Sequence, residues 1–148
     1  MQNNIENELE NELSSRNSLQ KIALFCLYDI LVYKEVDKEI DVVDIISSLC
    51  ECGYDEAPIF VKSIVINALK HFEYEIKTIE PFLTKWSFFR LNRLAQAILL
   101  LSFTHFFYVE EDVNKRIVIN IAVKFAKLYL DANDYKYINA VLDKVLVR

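Results

Sequence analysis

One glycine and two prolines in 148 residues are too few for a fold that reverses direction every few residues. Sheet-rich architectures need turn residues at short intervals, so the scarcity argues for a few long helices joined by tight loops. Long apolar runs are missing as well. The most apolar stretch, Trp86 to Val109, is interrupted by Gln96, Thr104 and His105. Its unbroken part falls short of the roughly 18 residues that a membrane span requires. The N-terminus is acidic and polar, without the apolar segment of a secretory signal, so the chain reads as cytoplasmic with no membrane partner.

Cysteine is sparse and odd in number: Cys26, Cys50 and Cys52. Cys50-x-Cys52 has no second pair, and His71 and His105 stand at no metal-ligand spacing from it. The three read as reduced thiols, with Cys26 a small core residue and no metal site. Signatures of catalysis are also missing. There is no glycine loop to cradle phosphate, no H-E-x-x-H, no G-x-S-x-G and no Cys–His pair at a useful spacing. Acidic pairs such as Glu110-Glu111 have no convergent partners. The chain therefore reads as a non-enzyme without a cofactor.

What is present is apolar residue. A hydrophobic content of 53% is enough to fold, and the length suits one domain with a real core. The charge is uneven. Residues 1–15 hold Glu6, Glu8, Glu10 and Glu12 and no base, whereas residues 113–148 hold seven bases against three acids, net +4 in a chain of net -5. A basic quarter in an acidic protein is either an ordinary solvated face or a surface for an anion such as RNA.

Periodicity places about seven helices and no strand. Residues 1–15 read as a flexible acidic tail or a frayed helix, and 16–148 as a single helical domain. Ser18 suits the N-cap of a first helix to about Lys34, with Leu19, Ile22, Cys26, Ile30 and Tyr33 inward. Asp41 caps a second helix, with Asp44 in its first turn, and Gly53 suits the left-handed position after it. Pro58 opens a third helix running to about Lys77, its face marked by Ile59, Phe60, Ile64, Asn67, Ala68 and Phe72. Short turns around Pro81 and from Trp86 to Leu91 lead to Asn92 or Arg93, where a helix apolar nearly all round begins. Such a helix belongs inside a domain, with His105 a core histidine. Asn114 and Asp134 cap the last two helices, the final one turning Ile138, Val141, Leu142 and Val145 inward.

Three segments, in the right order and distance, resemble the NusB family of bacterial transcription antitermination factors. They are Ala23-x3-Leu27-Tyr28; Trp86-x3-Arg90-Leu91-x2-Leu94-x2-Ala97-Ile98-Leu99-x-Leu101; and Ile119-Asn120-x-Ala122-Val123-x2-Ala126-Lys127 followed by Lys136-Tyr137-Ile138-Asn139-x-Val141-Leu142-Asp143-Lys144. The resemblance covers about residues 18–146. It implies an all-α, NusB-like bundle in two packed helical subdomains. It also implies binding of a single-stranded boxA-type RNA together with the ribosomal protein NusE, in support of the transcription elongation complex on ribosomal RNA operons.

By that resemblance the RNA contacts fall on Arg16, Lys21, Lys127, Tyr129, Lys136, Tyr137 and Asn139, and the partner contacts on Tyr28 and Ala95. Aromatic rings stack on unpaired bases, lysines meet phosphate and an asparagine reads a base edge. Structural readings stand beside these: Tyr137 a half-buried core aromatic, Asn139 a partner for backbone groups, Tyr28 a buried helix tyrosine, and Trp86 and Arg90 local supports. The chain departs from the family pattern in places. The arginine-rich run expected before Ala23 is reduced to Arg16 and Lys21. Ile121, Ala140, Leu100 and Ala95 replace a glutamate, a glycine, a base and an acid or polar residue respectively. Those departures leave open a NusB-like protein-interaction module, possible as a homodimer or heterodimer, that has lost most RNA contacts.

Overall fold

A computed structural model describes the backbone of residues 2–84 and 87–148, and the side chains at 4, 16–84 and 87–148; Trp86 lies outside the described residues. Among the described residues there are seven α-helices and no strand: α1 (Gln2–Glu35), α2 (Val42–Cys50), α3 (Ile59–Lys70), α4 (Phe72–Ile79), α5 (Arg93–Thr104), α6 (Lys115–Tyr129) and α7 (Asp134–Val145). No helix among them is long and apolar enough to cross a membrane.

The fold is arranged about α5. Asn92 starts it, its side-chain oxygen accepting from the Leu94 N–H at 2.8 Å. Every residue from Ala95 to Thr104 is buried, because α1 and α3 cover one side while α4, α6 and α7 cover the others. Burying the whole circumference also buries polar groups, and those must find partners. Gln96 donates to the Leu91 carbonyl at 2.9 Å, Ser102 to the Ile98 carbonyl at 2.8 Å, and Thr104 to the Glu75 carboxyl on α4. After Thr104 the helix widens into a π-helical turn, His105–Val109. His105 is buried there as expected, its Nε2 3.1 Å from Glu110 Oε1 but without hydrogen-bond alignment, and its ring edge-on to Phe60.

Local capping follows the sequence closely. Asp41 accepts from the Asp44 N–H at 3.0 Å and Asn114 from the Arg116 N–H at 2.8 Å. Several other details differ. Helix α1 is already helical at Gln2, so Ser18 lies within it instead of capping it. The left-handed residue after α2 is Glu51 (φ 56°), because α2 stops at Cys50; Gly53 is extended (φ -64°). The third helix breaks at His71 (φ -108°, ψ 16°), whose ring stacks 4.0 Å from that of Tyr108 in the π-helical turn. A contact so distant in sequence leaves no local signal. Pro58 sits at the N-cap of α3 and turns Ile59 outward, leaving it 81% exposed, while Val61, Ile64, Val65 and Ala68 form the buried face. Asn133, not Asp134, is the N-cap of α7; the Asp134 side chain accepts from the Asp131 N–H at 3.2 Å.

Candidate nucleic-acid interface

The last two helices form an antiparallel hairpin that carries most of the basic quarter. Ile138, Val141, Leu142 and Val145 of α7 are buried as expected, against Val118, Ile119, Ala122 and Phe125 of α6. One end of the hairpin is pinned by Lys115, whose ammonium meets the Asp143 carbonyl at 2.6 Å and its carboxylate at 3.2 Å. Near the other end the Lys127 ammonium sits 4.8 Å from the Tyr135 ring centroid. Arg148 closes the structure beneath, donating to the carbonyls of Phe106, Glu110 and Val113 at 2.8, 3.1 and 3.1 Å.

The residues expected to meet RNA fall into three neighbourhoods. Lys21, exposed on α1, has its ammonium 6.0 Å from the Phe25 ring; Phe25 meets Tyr129 of α6 edge-on at 5.9 Å, and Tyr129 lies nearly parallel to Phe125 at 6.3 Å. Lys21 and Tyr129 are thereby joined through Phe25, which motif spacing did not single out. Only its half-buried position on α1 beside the exposed Lys21 marks it. Arg16 is exposed one helical turn or so before Lys21, in no ion pair among the described residues.

Tyr137 belongs to a second neighbourhood, a groove of about 340 Å³ between the Phe88–Arg90 turn and α7, which it lines together with Arg90, Asn92, Ala95 and Asn133. Tyr137 is half-buried, and burial pushes its phenol up from the ordinary tyrosine range. Its hydroxyl has no hydrogen-bond partner among the described residues. Arg90, read as a local support, is exposed on the rim and forms no ion pair among the described residues. Ala95 is buried on the floor of the same groove, so a partner would meet it only by entering there.

Asn139 is in a third neighbourhood, a cleft of about 340 Å³ between α6 and α7 that it shares with Lys115, Arg116, Asn120 and Asp143. Lys127 reaches α7 while Tyr129 reaches α1, so neighbours in sequence serve different surfaces. Lys136 is fully available on the first turn of α7. Tyr28 is half-buried and packs on the core.

No group of three or more His, Cys, Asp or Glu side chains among the described residues is arranged to hold a metal. Cys26, Cys50 and Cys52 are free, and burial pushes the Cys26 thiol up to about 12, which leaves it an inert core group.

The comparisons with known proteins agree with one another. The chain matches the NusB family over residues 17–147. It is 30% identical over 136 residues to the transcription antitermination protein NusB of Finegoldia magna, covering 90% of this chain and 95% of that one. It is 32% identical over 138 residues to the NusB of Actinobacillus succinogenes, covering 93% and 94%. In fold it is similar to T. maritima NusB, with a TM-score of 0.74 over 88% of this chain and 89% of that one at 19% identity. A helical architecture arranged about a buried α5, and a match running from α1 to the end of α7, lead to one conclusion: the chain belongs to the NusB family.

Proposed function

We propose that this protein is a transcription antitermination factor that binds single-stranded boxA-type RNA together with the ribosomal protein NusE, and so supports the elongation complex on ribosomal RNA operons. Membership of a family whose relatives are named transcription antitermination proteins supports the general activity. The observation that carries the RNA reading is the array of Lys21, Phe25 and Tyr129 at the junction of α1 and α6. A cation at the rim of a pair of aromatic rings offers phosphate attraction and a stacking face together. Lys127 and Lys136 add charge near the same ends of α6 and α7, and Arg16 extends it along α1.

The groove that holds Tyr137 over Ala95 is where RNA and protein partner would meet, since one wall carries an expected RNA residue and the floor an expected partner residue. Tyr28, half-buried on α1, adds to the partner side. The reduced basic run before Ala23 gives fewer phosphate contacts, so the partner supplies a larger share of the affinity than electrostatics alone. A fluorescence anisotropy titration of boxA RNA with and without NusE tests the reading: tighter binding with NusE is expected, and no sequence-preferring binding in either condition would refute it.

A further inference from the structure

Helix α6 carries Lys115, Arg116, Lys124 and Lys127 and no acidic residue, in a protein whose net charge is -5. Lys115 is committed to Asp143. Arg116, Lys124 and Lys127 are exposed and form no ion pair among the described residues. At 3.6 residues per turn, Arg116, Asn120, Lys124 and Lys127 share an arc of about 80° and span about 16 Å along the axis. This strip therefore presents like charges on one face of one helix. Such an arrangement presents a positive face that favours an anionic occupant over a cationic or apolar one.

The cleft between α6 and α7 opens beside the N-terminal half of that strip, with Lys124 and Lys127 continuing it beyond the cleft. Arg116 and Asn120 line one wall, Asn139 and Asp143 the other, with Asn114 and Lys115 at the end. Asn120 and Asn139 make no side-chain hydrogen bond among the described residues, and both are exposed. Two free amides facing one cleft offer donors and acceptors suited to base edges and ribose hydroxyls. An apolar seam, which a protein helix would need, is missing there. Ile117 and Leu128 are exposed but lie at the far edge of the strip, away from α7.

From this geometry we infer that the α6–α7 hairpin is a track for the RNA that flanks the boxA element, with Arg116 and Lys124 meeting its phosphates and Asn120 and Asn139 its nucleosides. The inference rests on the RNA-binding reading above and adds to it Arg116, Asn120 and Lys124, which family resemblance did not point to. It also accounts for Asn139 lying apart from Tyr137: the two serve different stretches of one strand, joined past Lys127.

The test uses the intact protein with NusE and three labelled RNAs: a minimal boxA RNA, and the same RNA extended by about ten uridines at its 5′ or its 3′ end, a length within the usual range of single-strand sites. The wild type is expected to bind one of the two extended RNAs more tightly than the minimal one. The double substitution Arg116→Gln, Lys124→Gln should erase that gain and lower the slope of log affinity against log salt by about 1.4, or roughly 25-fold in affinity at 0.1 M salt. Lys124→Gln alone should lower the slope by about 0.7, and it keeps the test usable if the double variant is unstable. If neither extension tightens binding, or the gain survives both variants while the minimal RNA still binds, the track is wrong and the RNA-binding reading stands. If no RNA binds at all, both fall. If the double variant instead abolishes self-association in sedimentation and leaves the gain intact, the strip is a protein-docking face and the track is wrong.

Discussion

The Thr104 hydroxyl lies 3.0 and 2.9 Å from the two oxygens of the Glu75 carboxyl, which is completely buried between α4 and α5. Burial pushes that carboxyl from 4.5 up to about 9, outweighing the Thr104 hydrogen bond, which acts to lower it. The folded protein therefore keeps a proton that the unfolded chain releases above about pH 4.5. Stability from this group is complete below that pH and is lost progressively as pH rises through the folded-state value, at up to about 1.4 kcal/mol per pH unit. Chemical denaturation between pH 5 and 9 should show this decline. Glu75→Gln should flatten it and stabilise the protein at pH 8 by about 1 to 3 kcal/mol. Parallel pH profiles for wild type and variant would contradict the assignment.

Arg148 carries a different kind of burden. Its guanidinium serves the carbonyls of Phe106, Glu110 and Val113 and lies 3.9 Å from the Phe106 ring centroid. The Phe106 carbonyl lies in the π-helical turn and those of Glu110 and Val113 in the loop after it, and a fork of fixed N–H groups meets three spread carbonyls better than a single ammonium. Arg148→Ala should cost about 1.5 to 3 kcal/mol in urea denaturation. Arg148→Lys should recover less than half of that loss.

Gly53 offers a gain. Its φ of -64° is open to any residue, and a Cβ there would meet nothing within 4 Å. Gly53→Ala should raise stability by about 0.4 to 1 kcal/mol by restricting the unfolded chain. A loss of stability would show that the extended conformation is not the one populated in solution.

Lys136 is exposed on the first turn of α7 and supports no packing. Lys136→Glu should leave the unfolding free energy within about 0.5 kcal/mol of wild type. Its boxA affinity should fall roughly fivefold or more at 0.1 M salt, the cost of one phosphate contact. A large stability loss with unchanged affinity would make Lys136 a structural residue.

The elements most legible in the sequence were those decided within a turn or two of chain. Asp41, Asn92 and Asn114 cap helices because a short side-chain oxygen reaches an N–H two or three residues on, and that geometry is local. The buried α5 was legible because an apolar circumference has one stable setting. Features set by distant partners were not. The break at His71 falls where its ring stacks on Tyr108, and Ile59 turns outward directly after Pro58 at the N-cap. Family spacing marked Lys21, Tyr129, Tyr137 and Asn139 as one group. Tertiary packing instead divides them among the α1–α6 junction, the groove over Ala95 and the α6–α7 cleft, and inserts Phe25 into the first.

The proposed recognition of boxA RNA by this NusB family protein together with NusE is tested most directly by the salt dependence of the binding. Fluorescence anisotropy of boxA RNA and of a scrambled RNA of equal length, with NusE present, should be recorded from low to high salt. Tighter binding of boxA at every salt concentration is predicted, with a slope that shrinks when Lys21, Lys127 or Lys136 is neutralised. Equal affinity for the two RNAs, or binding insensitive to salt and to those lysines, would contradict it.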